Sequence, residues 1–278
     1  MTDQYAVIGH PVAHSRSPGI HAQFARATGH DLAYGRILAP PEGFRAAVLE
    51  FRVRGGRGLN VTLPFKHQAW DFVDARAGHA ADAGAVNTID FREDGSVGYN
   101  TDGIGLVTDI ERNLGLPIRG KRVLMMGAGG ASHGAMPALL AAAPGCVVVA
   151  NRTPDKAAAL VARFREKAGA CALQALPYEK LKGAQFELVI NATSAGLSGR
   201  MPQLPERIFE PAALAYDMVY GRVTPFMKFA ESCGARAVDG LGMLVEQAAE
   251  SFFIWRGVRP ATKPVIDRLR LEGGGTKA

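Results

Sequence analysis

A lysine and an aspartate end two short polar motifs in the first half of the chain. Lys66 ends the segment NVTLPFK at 60–66, and Asp102 ends GYNTD at 98–102. A positioned ammonium can transfer a proton, and a neighbouring carboxylate can hold and orient it. Lys66 also stands early in an expected helix, where a cation is electrostatically unfavourable, so a functional reason is indicated. The alternative is a solvated lysine and an aspartate that forms a turn.

The segment SRSP at 15–18 begins another expected helix. A serine before a proline is typical of a helix N-cap followed by the first turn, which is a purely structural role for Ser17. A hydroxyl can accept a bond from the helix backbone and still donate its proton to a carboxylate, and Ser15 is left for a second donation. Helix capping and ligand binding are therefore both open for this segment.

A glycine-rich turn, GAGGA at 127–131, follows the apolar run VLMM at 123–126 and leads into an expected helix, Ser132–Leu140. Glycines there let the backbone approach a pyrophosphate, and the helix N-terminus offers N–H groups and a partial positive charge. Glycine is also common in such turns for its backbone angles alone. The preceding strand favours a dinucleotide site, although Ser132 replaces the last glycine of the usual pattern.

The second expected strand of this series, Val147–Ala150, is followed by NRTPDK at 151–156. NAD sites usually place an acidic residue there to bind the ribose 2′-hydroxyl, whereas this chain has Arg152, whose guanidinium suits a 2′-phosphate. Thr153 before Pro154 also reads as a cap of the helix Asp155–Arg165. Both roles are compatible, and the pattern predicts NADP rather than NAD.

Short apolar runs alternate with Ala-rich amphipathic stretches along the chain, which predicts an α/β fold with mainly parallel sheets. We expect two domains, an N-terminal α/β substrate domain and a Rossmann-like dinucleotide-binding domain. We place the boundary between them near Asp102–Gly103. The predicted strands are Tyr5–Gly9, Ala33–Leu38, Gly58–Thr62, Ala85–Phe91, Ser96–Asn100, Val123–Met126, Val147–Ala150, Glu187–Asn191 and Ala215–Val219. Further predicted helices are Pro18–Ala27, Pro41–Phe51, Pro64–Val73, Ile104–Leu114, Met243–Trp255 and Lys263–Leu271.

The composition is that of an ordinary globular protein, with 47% hydrophobic and 21% charged residues. The three cysteines have no CxxC spacing, so neither a disulfide framework nor a metal site is expected, and a reducing cytoplasm is the natural location. No signal peptide or membrane-spanning stretch is recognised. The net charge of +6 and the Arg/Gly segment at 52–58 superficially suggest RNA binding. No basic face recurs elsewhere, so we expect no nucleic-acid partner but a small anionic ligand.

Taken together, these motifs resemble the shikimate dehydrogenase family, whose members reduce 3-dehydroshikimate with NADPH in the biosynthesis of chorismate and aromatic amino acids. The resemblance covers essentially the whole chain in order. It continues beyond the motifs above in GAVNT at 84–88, NATS at 191–194, DMVY at 217–220, TP at 224–225 and DGLGMLVEQA at 239–248. Two positions depart from the family pattern: Ala22 stands where Asn is usual, and His133 stands where Arg is common.

The resemblance also implies that helices in 241–278 complete the first domain, so the predicted domains are 1–102 with 241–278 and 103–240. It further implies a role for each matching position. Lys66 would be the catalytic acid/base and Asp102 its partner. Substrate would be bound by Ser15, Ser17, Asn60, Thr62, Asn87, Tyr220 and Gln247. The cofactor NADP would contact Gly127, Ala128, Gly129, Gly130, Ala131, Asn151, Arg152, Thr153, Lys156, Thr193, Met218 and Gly240.

Three points stay open at this level. One alternative is a quinate/shikimate dehydrogenase that uses NAD, against which Arg152 and Ser17 argue. Another is a non-catalytic regulator that senses dinucleotides. Such a sensor would need neither Lys66 nor Asp102 for binding, so the presence of both residues argues against it. The sequence also leaves a homodimer open.

Overall fold

The computed structural model describes residues 2–195 and 199–273, and these form two compact units. The first unit contains the chain up to Gly105 together with Val245–Val265. The second contains Leu106–Leu244 and the described residues from Ile266 onward. The units differ from the predicted domain limits by a few residues at each boundary and in the placement of the last helix. Those limits, 1–102 with 241–278 and 103–240, remain a proposal about domains.

The first unit is built on a six-stranded sheet with strand order β2-β1-β3-β5-β6-β4. The pairs β1–β2, β1–β3 and β4–β6 are parallel, whereas β5 is antiparallel to both β3 and β6. Its elements are β1 (Asp3–Gly9), α1 (Ser17–Thr28), β2 (Leu32–Leu38), α2 (Phe44–Val53), β3 (Gly56–Val61), α3 (Lys66–Phe72), β4 (Ala75–Arg76), α4 (Ala80–Ala83), β5 (Thr88–Arg92) and β6 (Gly95–Tyr99).

The central strands of this sheet are covered on both faces. The last five residues of β1 are all buried, without the alternation of a half-exposed strand, as expected for a parallel strand between two helical layers. Ile8, Leu59, Phe65 and Ile89 belong to one buried cluster on this sheet. The strands predicted at 85–91 and 96–100 correspond to β5 and β6, which form a hairpin in which Arg92 pairs with Gly95.

The helix predicted at 104–114 is in fact two structures in succession. It starts earlier, as α5 (Asp102–Thr108), and continues as a π-helical turn at Asp109–Asn113. Asp109 is buried at this turn and accepts a hydrogen bond from the Tyr216 hydroxyl at 2.7 Å. This bond joins residues 107 positions apart, so the local sequence pattern does not show it.

The second unit has a six-stranded sheet in the order β12-β11-β10-β7-β8-β9, with all neighbouring strands parallel. This is the strand order of a Rossmann sheet, so the predicted fold class is confirmed. Its elements are β7 (Arg122–Met126), α6 (Gly130–Ala141), β8 (Cys146–Ala150), α7 (Pro154–Phe164), β9 (Ala172–Leu176), β10 (Phe186–Asn191), β11 (Phe209–Asp217), α8 (Pro225–Ser232) and β12 (Arg236–Asp239). The remaining helices are α9 (Leu241–Arg256) and α10 (Lys263–Glu272).

The strand predicted at 215–219 was wrong at both ends, because β11 begins at Phe209 and ends at Asp217. After Asp217 the chain turns, since the Val219 N–H donates to the Asp217 carboxylate at 3.0 Å. In the described part of the chain, no helix combines the length and apolar character needed to cross a membrane.

Candidate active site and dinucleotide-binding site

The two residues predicted to transfer a proton are paired in the first unit. Lys66 is the first residue of α3 and Asp102 is the first residue of α5. The Lys66 ammonium donates to Asp102 Oδ2 over 2.5 Å, and the two side chains are 27% and 12% exposed. The carboxylate offsets the charge of a lysine placed at a helix start. The partly exposed ammonium remains accessible to a small ligand.

A buried amide orients the carboxylate of this pair. Asn87 Nδ2 donates to Asp102 Oδ1 at 2.8 Å and lies 2.9 Å from Thr101 Oγ1. Asn87 Oδ1 accepts from the Thr101 N–H at 2.9 Å, and the Asp102 N–H donates to Asn100 Oδ1 at 3.1 Å. Because Asn87 is itself buried, these bonds hold Asp102 in one rotamer with Oδ2 left for Lys66.

Asn60 lies at the centre of a second buried network. The Tyr34 hydroxyl donates to Asn60 Oδ1 at 2.6 Å. Asn60 Nδ2 lies 2.9 Å from Ser251 Oγ and 3.1 Å from Thr88 Oγ1. The amide is therefore engaged by protein groups on both sides in this structure. Thr62, two residues on, is partly exposed, and its N–H donates to Ile8 O at 3.0 Å.

The two predicted serines contact each other. The Ser15 hydroxyl lies 3.2 Å from Ser17 Oγ, and the Ser17 N–H donates to Ser15 Oγ at 3.3 Å. The alternative of Ser17 as a helix cap is wrong, because α1 begins at Ser17 and Arg16 occupies the cap position without a side-chain bond. Ser15 takes up the first helical N–H instead, which brings both hydroxyls to the same helix start.

The remaining predicted substrate residues lie in different units. Gln247 is on α9 in the first unit, and Thr101 Oγ1 lies 3.4 Å from Gln247 Oε1. Ser251, one turn further along α9, donates to the Gln247 carbonyl at 3.0 Å. Tyr220 belongs to the second unit, where it follows β11 and is partly buried.

Sequence reasoning missed four residues that hold this constellation together: Tyr34, Arg36, Thr88 and Ser251. Tyr34 and Arg36 stand two apart on β2, so they project from one side of that strand. This two-residue spacing within a predicted strand was visible in the sequence and could have pointed to both residues. Thr88 and Ser251 are 163 residues apart yet 2.8 Å from each other, and no local pattern connects them.

In the second unit, the predicted cofactor residues meet at one edge of the sheet. The strand-end residue Met126 is in register with both Ala150 and Asn191. Asn191 is in register with Asp217, and Asp217 with Asp239. The predicted positions 127, 151, 193, 218 and 240 each follow one of these strand ends within two residues. They lie at the carboxyl edge of the sheet, around the point between β7 and β10 where the strand order reverses, and this is where such folds bind ligands.

The glycine turn has the space that a phosphate requires. Gly127 has φ of 103°, and a Cβ there would lie 3.1 Å from the Ala192 carbonyl oxygen, so glycine is needed at this position. A Cβ on Gly129 or Gly130 would meet no atom within 4 Å, so the turn is open on that side. Ser132, in the first turn of α6, donates to the Gly127 carbonyl at 2.8 Å and fixes the turn. The arrangement fits a dinucleotide pyrophosphate at the start of α6.

The segment after β8 presents two cations to solvent. Arg152, Thr153 and Lys156 are exposed, and Asn151 Nδ2 donates to the Thr153 carbonyl at 2.9 Å. Thr153 stands at the N-cap position of α7, but its side chain makes no capping bond. The exposed Arg152 guanidinium before α7 and the exposed Lys156 ammonium in the first turn of α7 can bind a phosphate monoester such as the 2′-phosphate of NADP.

Asp217 connects two of the loops at this edge and was not among the predicted residues. Its Oδ2 accepts from Thr224 Oγ1 at 2.6 Å and from Asn191 Nδ2 at 3.1 Å. Asn191 in turn accepts from the Thr193 hydroxyl at 2.7 Å. Burial raises the pKa of Asp217, and the hydrogen bonds from Thr224 and the Val219 N–H partly oppose that effect. Close packing continues at Gly240, where a Cβ would lie 2.4 Å from the Met218 carbonyl oxygen.

The fold and these two sites define a nicotinamide-dinucleotide oxidoreductase class, with a Rossmann sheet and a second unit that carries a Lys–Asp ion pair. Comparison with known proteins specifies this further. Residues 7–89 match the family description "Shikimate dehydrogenase substrate binding domain". Residues 110–198 match "Shikimate / quinate 5-dehydrogenase", and 240–270 match "Shikimate 5'-dehydrogenase C-terminal domain".

Full-length relatives agree with these matches. A protein of Alkalilimnicola ehrlichii named shikimate dehydrogenase (NADP(+)) is 55% identical over 98% of this chain and 100% of its own length. The crystal structure of an Ael1 enzyme from Pseudomonas putida has a TM-score of 0.91 at 47% identity, covering 96% of this chain and 98% of that one. The shikimate 5-dehydrogenase of Thermus thermophilus in complex with NADP(H) and shikimate has a TM-score of 0.86 at 35% identity, covering 97% and 99%. The chain belongs to the shikimate dehydrogenase family, as its motifs predicted.

Proposed function

We propose that this chain is an NADP-dependent shikimate dehydrogenase that catalyses the reversible reduction of 3-dehydroshikimate to shikimate. The observation that carries the proposal is the Lys66–Asp102 ion pair, 2.5 Å long and partly open to solvent. The names of the full-length relatives and the shikimate-bound structure support the choice of substrate. The reaction belongs to the biosynthesis of chorismate and the aromatic amino acids.

The residues of the first unit supply the proton chemistry. NADPH, when bound, supplies the hydride that adds to the carbonyl carbon. The Lys66 ammonium donates a proton to the carbonyl oxygen as it becomes a hydroxyl, and in the reverse direction it takes that proton back. Asp102 balances the ammonium charge and holds Nζ in place, while Asn87 fixes the carboxylate. A positioned acid/base of this kind contributes about 10²–10⁴-fold in rate.

The other predicted residues would bind and select the two ligands. The paired hydroxyls of Ser15 and Ser17 can both donate to a carboxylate oxygen of the substrate. Arg152 and Lys156 would bind the 2′-phosphate that distinguishes NADP from NAD. The three cysteines are free thiols, which supports a reducing compartment, and we place the protein in the cytoplasm.

One assay with four arms tests the proposal. Purified protein is supplied with shikimate or quinate, each with NADP or NAD, and formation of reduced nicotinamide is followed by absorbance. We expect the highest kcat/KM for shikimate with NADP. Higher efficiency with quinate and NAD would replace the proposal by the quinate-type alternative, and no turnover in any arm, with the dinucleotide still bound, would favour a sensor.

Two variants test the role of Lys66 within that function. Lys66→Ala should lower turnover by about 10²–10⁴-fold and leave the affinity for NADP nearly unchanged. Lys66→Arg keeps a positive charge beside Asp102 but does not release a proton near neutral pH, so it should also be nearly inactive. Lys228→Ala, which removes an exposed lysine on α8, is the control. An unchanged turnover number in Lys66→Ala would remove Lys66 from the mechanism.

A further inference from the structure

An arginine on the edge strand of the first sheet holds the segment that carries the paired serines. Arg36 lies on β2, in register with Val7 of the neighbouring β1. Its Nη2 donates to the Ser15 carbonyl at 2.6 Å. Within the described residues this carbonyl is the only hydrogen-bond partner found for Arg36, whose side chain is otherwise exposed. The guanidinium therefore has further N–H donors that face solvent next to Ser15.

The same side of β2 holds a second part of the predicted substrate site. Tyr34, two residues before Arg36, donates to Asn60 Oδ1 at 2.6 Å. Burial raises the pKa of Tyr34 well above 10, and the nearby Ser17 hydroxyl partly opposes that effect. The tyrosine thus stays a neutral hydroxyl that donates to Asn60. Through Tyr34 and Arg36, β2 therefore interacts with three of the predicted binding residues, Ser15, Ser17 and Asn60.

A charge is the property that these neighbours otherwise lack. Ser15, Ser17 and Asn60 are neutral: their hydrogen bonds to a carboxylate are stronger than those to an uncharged ester, but they add no positive charge that would attract an anion. The Arg36 guanidinium adds a permanent positive charge beside Ser15, and its bond to the Ser15 carbonyl is charge-assisted and short. One residue therefore both fixes the serine segment and makes its surroundings attractive to an anion.

We propose that Arg36 is a positioning residue for the anionic group of the substrate. It holds Ser15 so that the two hydroxyls face the ligand, and its charge makes the site prefer a carboxylate over a neutral ester. This inference rests on the proposed function, because it takes shikimate as the substrate that carries the carboxylate. The Arg36 guanidinium takes no part in hydride or proton transfer.

The experiment measures KM and kcat for shikimate and for shikimate methyl ester, with saturating NADP. Arg36→Ala should raise KM for shikimate by about ten- to hundred-fold, the range for loss of a charged hydrogen bond, and change kcat by less than about threefold. The ester should already bind the unchanged protein poorly. Arg36→Ala should therefore raise KM for the ester far less than KM for shikimate. Arg36→Gln keeps a donor for the Ser15 carbonyl without the charge, so it should lose most of the preference for the acid. Arg36→Lys keeps the charge, so it should retain part of the preference for the acid over the ester.

Arg26→Ala, at an exposed arginine on α1, is the matched control and should change neither KM. An unchanged KM for shikimate in Arg36→Ala would overturn the inference, as would equal rises for the acid and the ester, which would indicate structural support alone. If the alanine variant fails to fold, the test moves to the unchanged protein at rising salt concentration. KM for shikimate should then rise more than KM for the ester, and parallel curves would reject a role for charge. Inactivity of the unchanged protein with shikimate would instead refute the proposed function.

Discussion

In the variant His21→Leu, the free energy of unfolding should fall less on acidification than it does in the unchanged protein. His21 is fully buried, and its ring stacks on Tyr34 with the two centroids 4.2 Å apart. Among residues 2–195 and 199–273, no group forms a hydrogen bond with either ring nitrogen. Burial lowers the pKa of His21 from 6.5 to about 3, and the nearby Asn60 side chain opposes this effect only in part.

The sign and size of the effect follow from these values. The folded-state pKa lies below the unfolded value, so between about pH 6.5 and pH 3 the unfolded chain binds a proton that the folded chain does not. The stability that depends on neutral His21 is therefore complete above pH 6.5 and is lost as pH falls towards 3. At pH 5, which is 1.5 units below the unfolded value of 6.5, the loss is about 2 kcal/mol, since each unit corresponds to about 1.4 kcal/mol.

The assay is urea unfolding of the unchanged protein and of His21→Leu at pH 7 and at pH 5, followed by circular dichroism. The free energy of unfolding of the variant minus that of the unchanged protein should increase by about 2 kcal/mol from pH 7 to pH 5. His14→Leu controls for the removal of an imidazole, because His14 is exposed. A difference for His21→Leu that stays constant between the two pH values would refute the reasoning.

Three further substitutions test the catalytic pair, the cofactor site and the packing around α9. Asp102→Asn should lower turnover by about 10²–10⁴-fold with little change in the Kd for NADP, because an amide does not balance the Lys66 charge; steady-state kinetics and a cofactor titration measure the two quantities. Arg152→Ala should raise the Kd for NADP by about ten- to hundred-fold and hardly change that for NAD, as fluorescence titration would show. Gly242→Ala should lower the free energy of unfolding by about 1–3 kcal/mol or more in thermal unfolding, because the added Cβ would lie 1.9 Å from Asp109 Oδ1.

Matched controls exist for each of these variants. Asp71→Asn and Arg165→Ala change exposed residues of the same types, and Gly19→Ala adds a Cβ that meets no atom within 4 Å. Turnover of Asp102→Asn within about twofold of the unchanged protein would contradict a role for the pair. Equal weakening of NADP and NAD in Arg152→Ala would reject the 2′-phosphate assignment. A Gly242→Ala variant as stable as Gly19→Ala would show that the Asp109 carboxylate moves at no cost.

The alternation of apolar runs and amphipathic stretches was sufficient to predict two α/β units and a Rossmann sheet, because the repeating geometry of strands and helices is written in local spacing. The strands β9 and β12 and the helix α8 were not predicted. β9 has no fully buried residue, and β12 has only four residues, so neither shows the continuous apolar run of a central strand.

Residue type, read with the family resemblance, was enough to single out Lys66, Asp102, the paired serines and the glycine turn. The contacts between these residues could not be predicted from the sequence. Lys66 and Asp102 are 36 residues apart in the chain, and only the pairing of β3, β5 and β6 brings them within 2.5 Å. Local preference left a helix cap as one of two open roles for the Ser17 hydroxyl, whereas Ser15 takes up the backbone N–H in the folded chain.

The chain alone therefore determined which chemical groups are present and on which kind of element each lies. Tertiary structure decided which of them meet: Arg36 with Ser15, Asn60 with Ser251, and Asp109 with Tyr216. The physical reason is the distance along the chain over which each kind of interaction acts. Secondary-structure preference and turn chemistry act over a few residues, while a buried hydrogen bond between residues such as Asn60 and Ser251, 191 positions apart, depends on the register and packing of the whole unit.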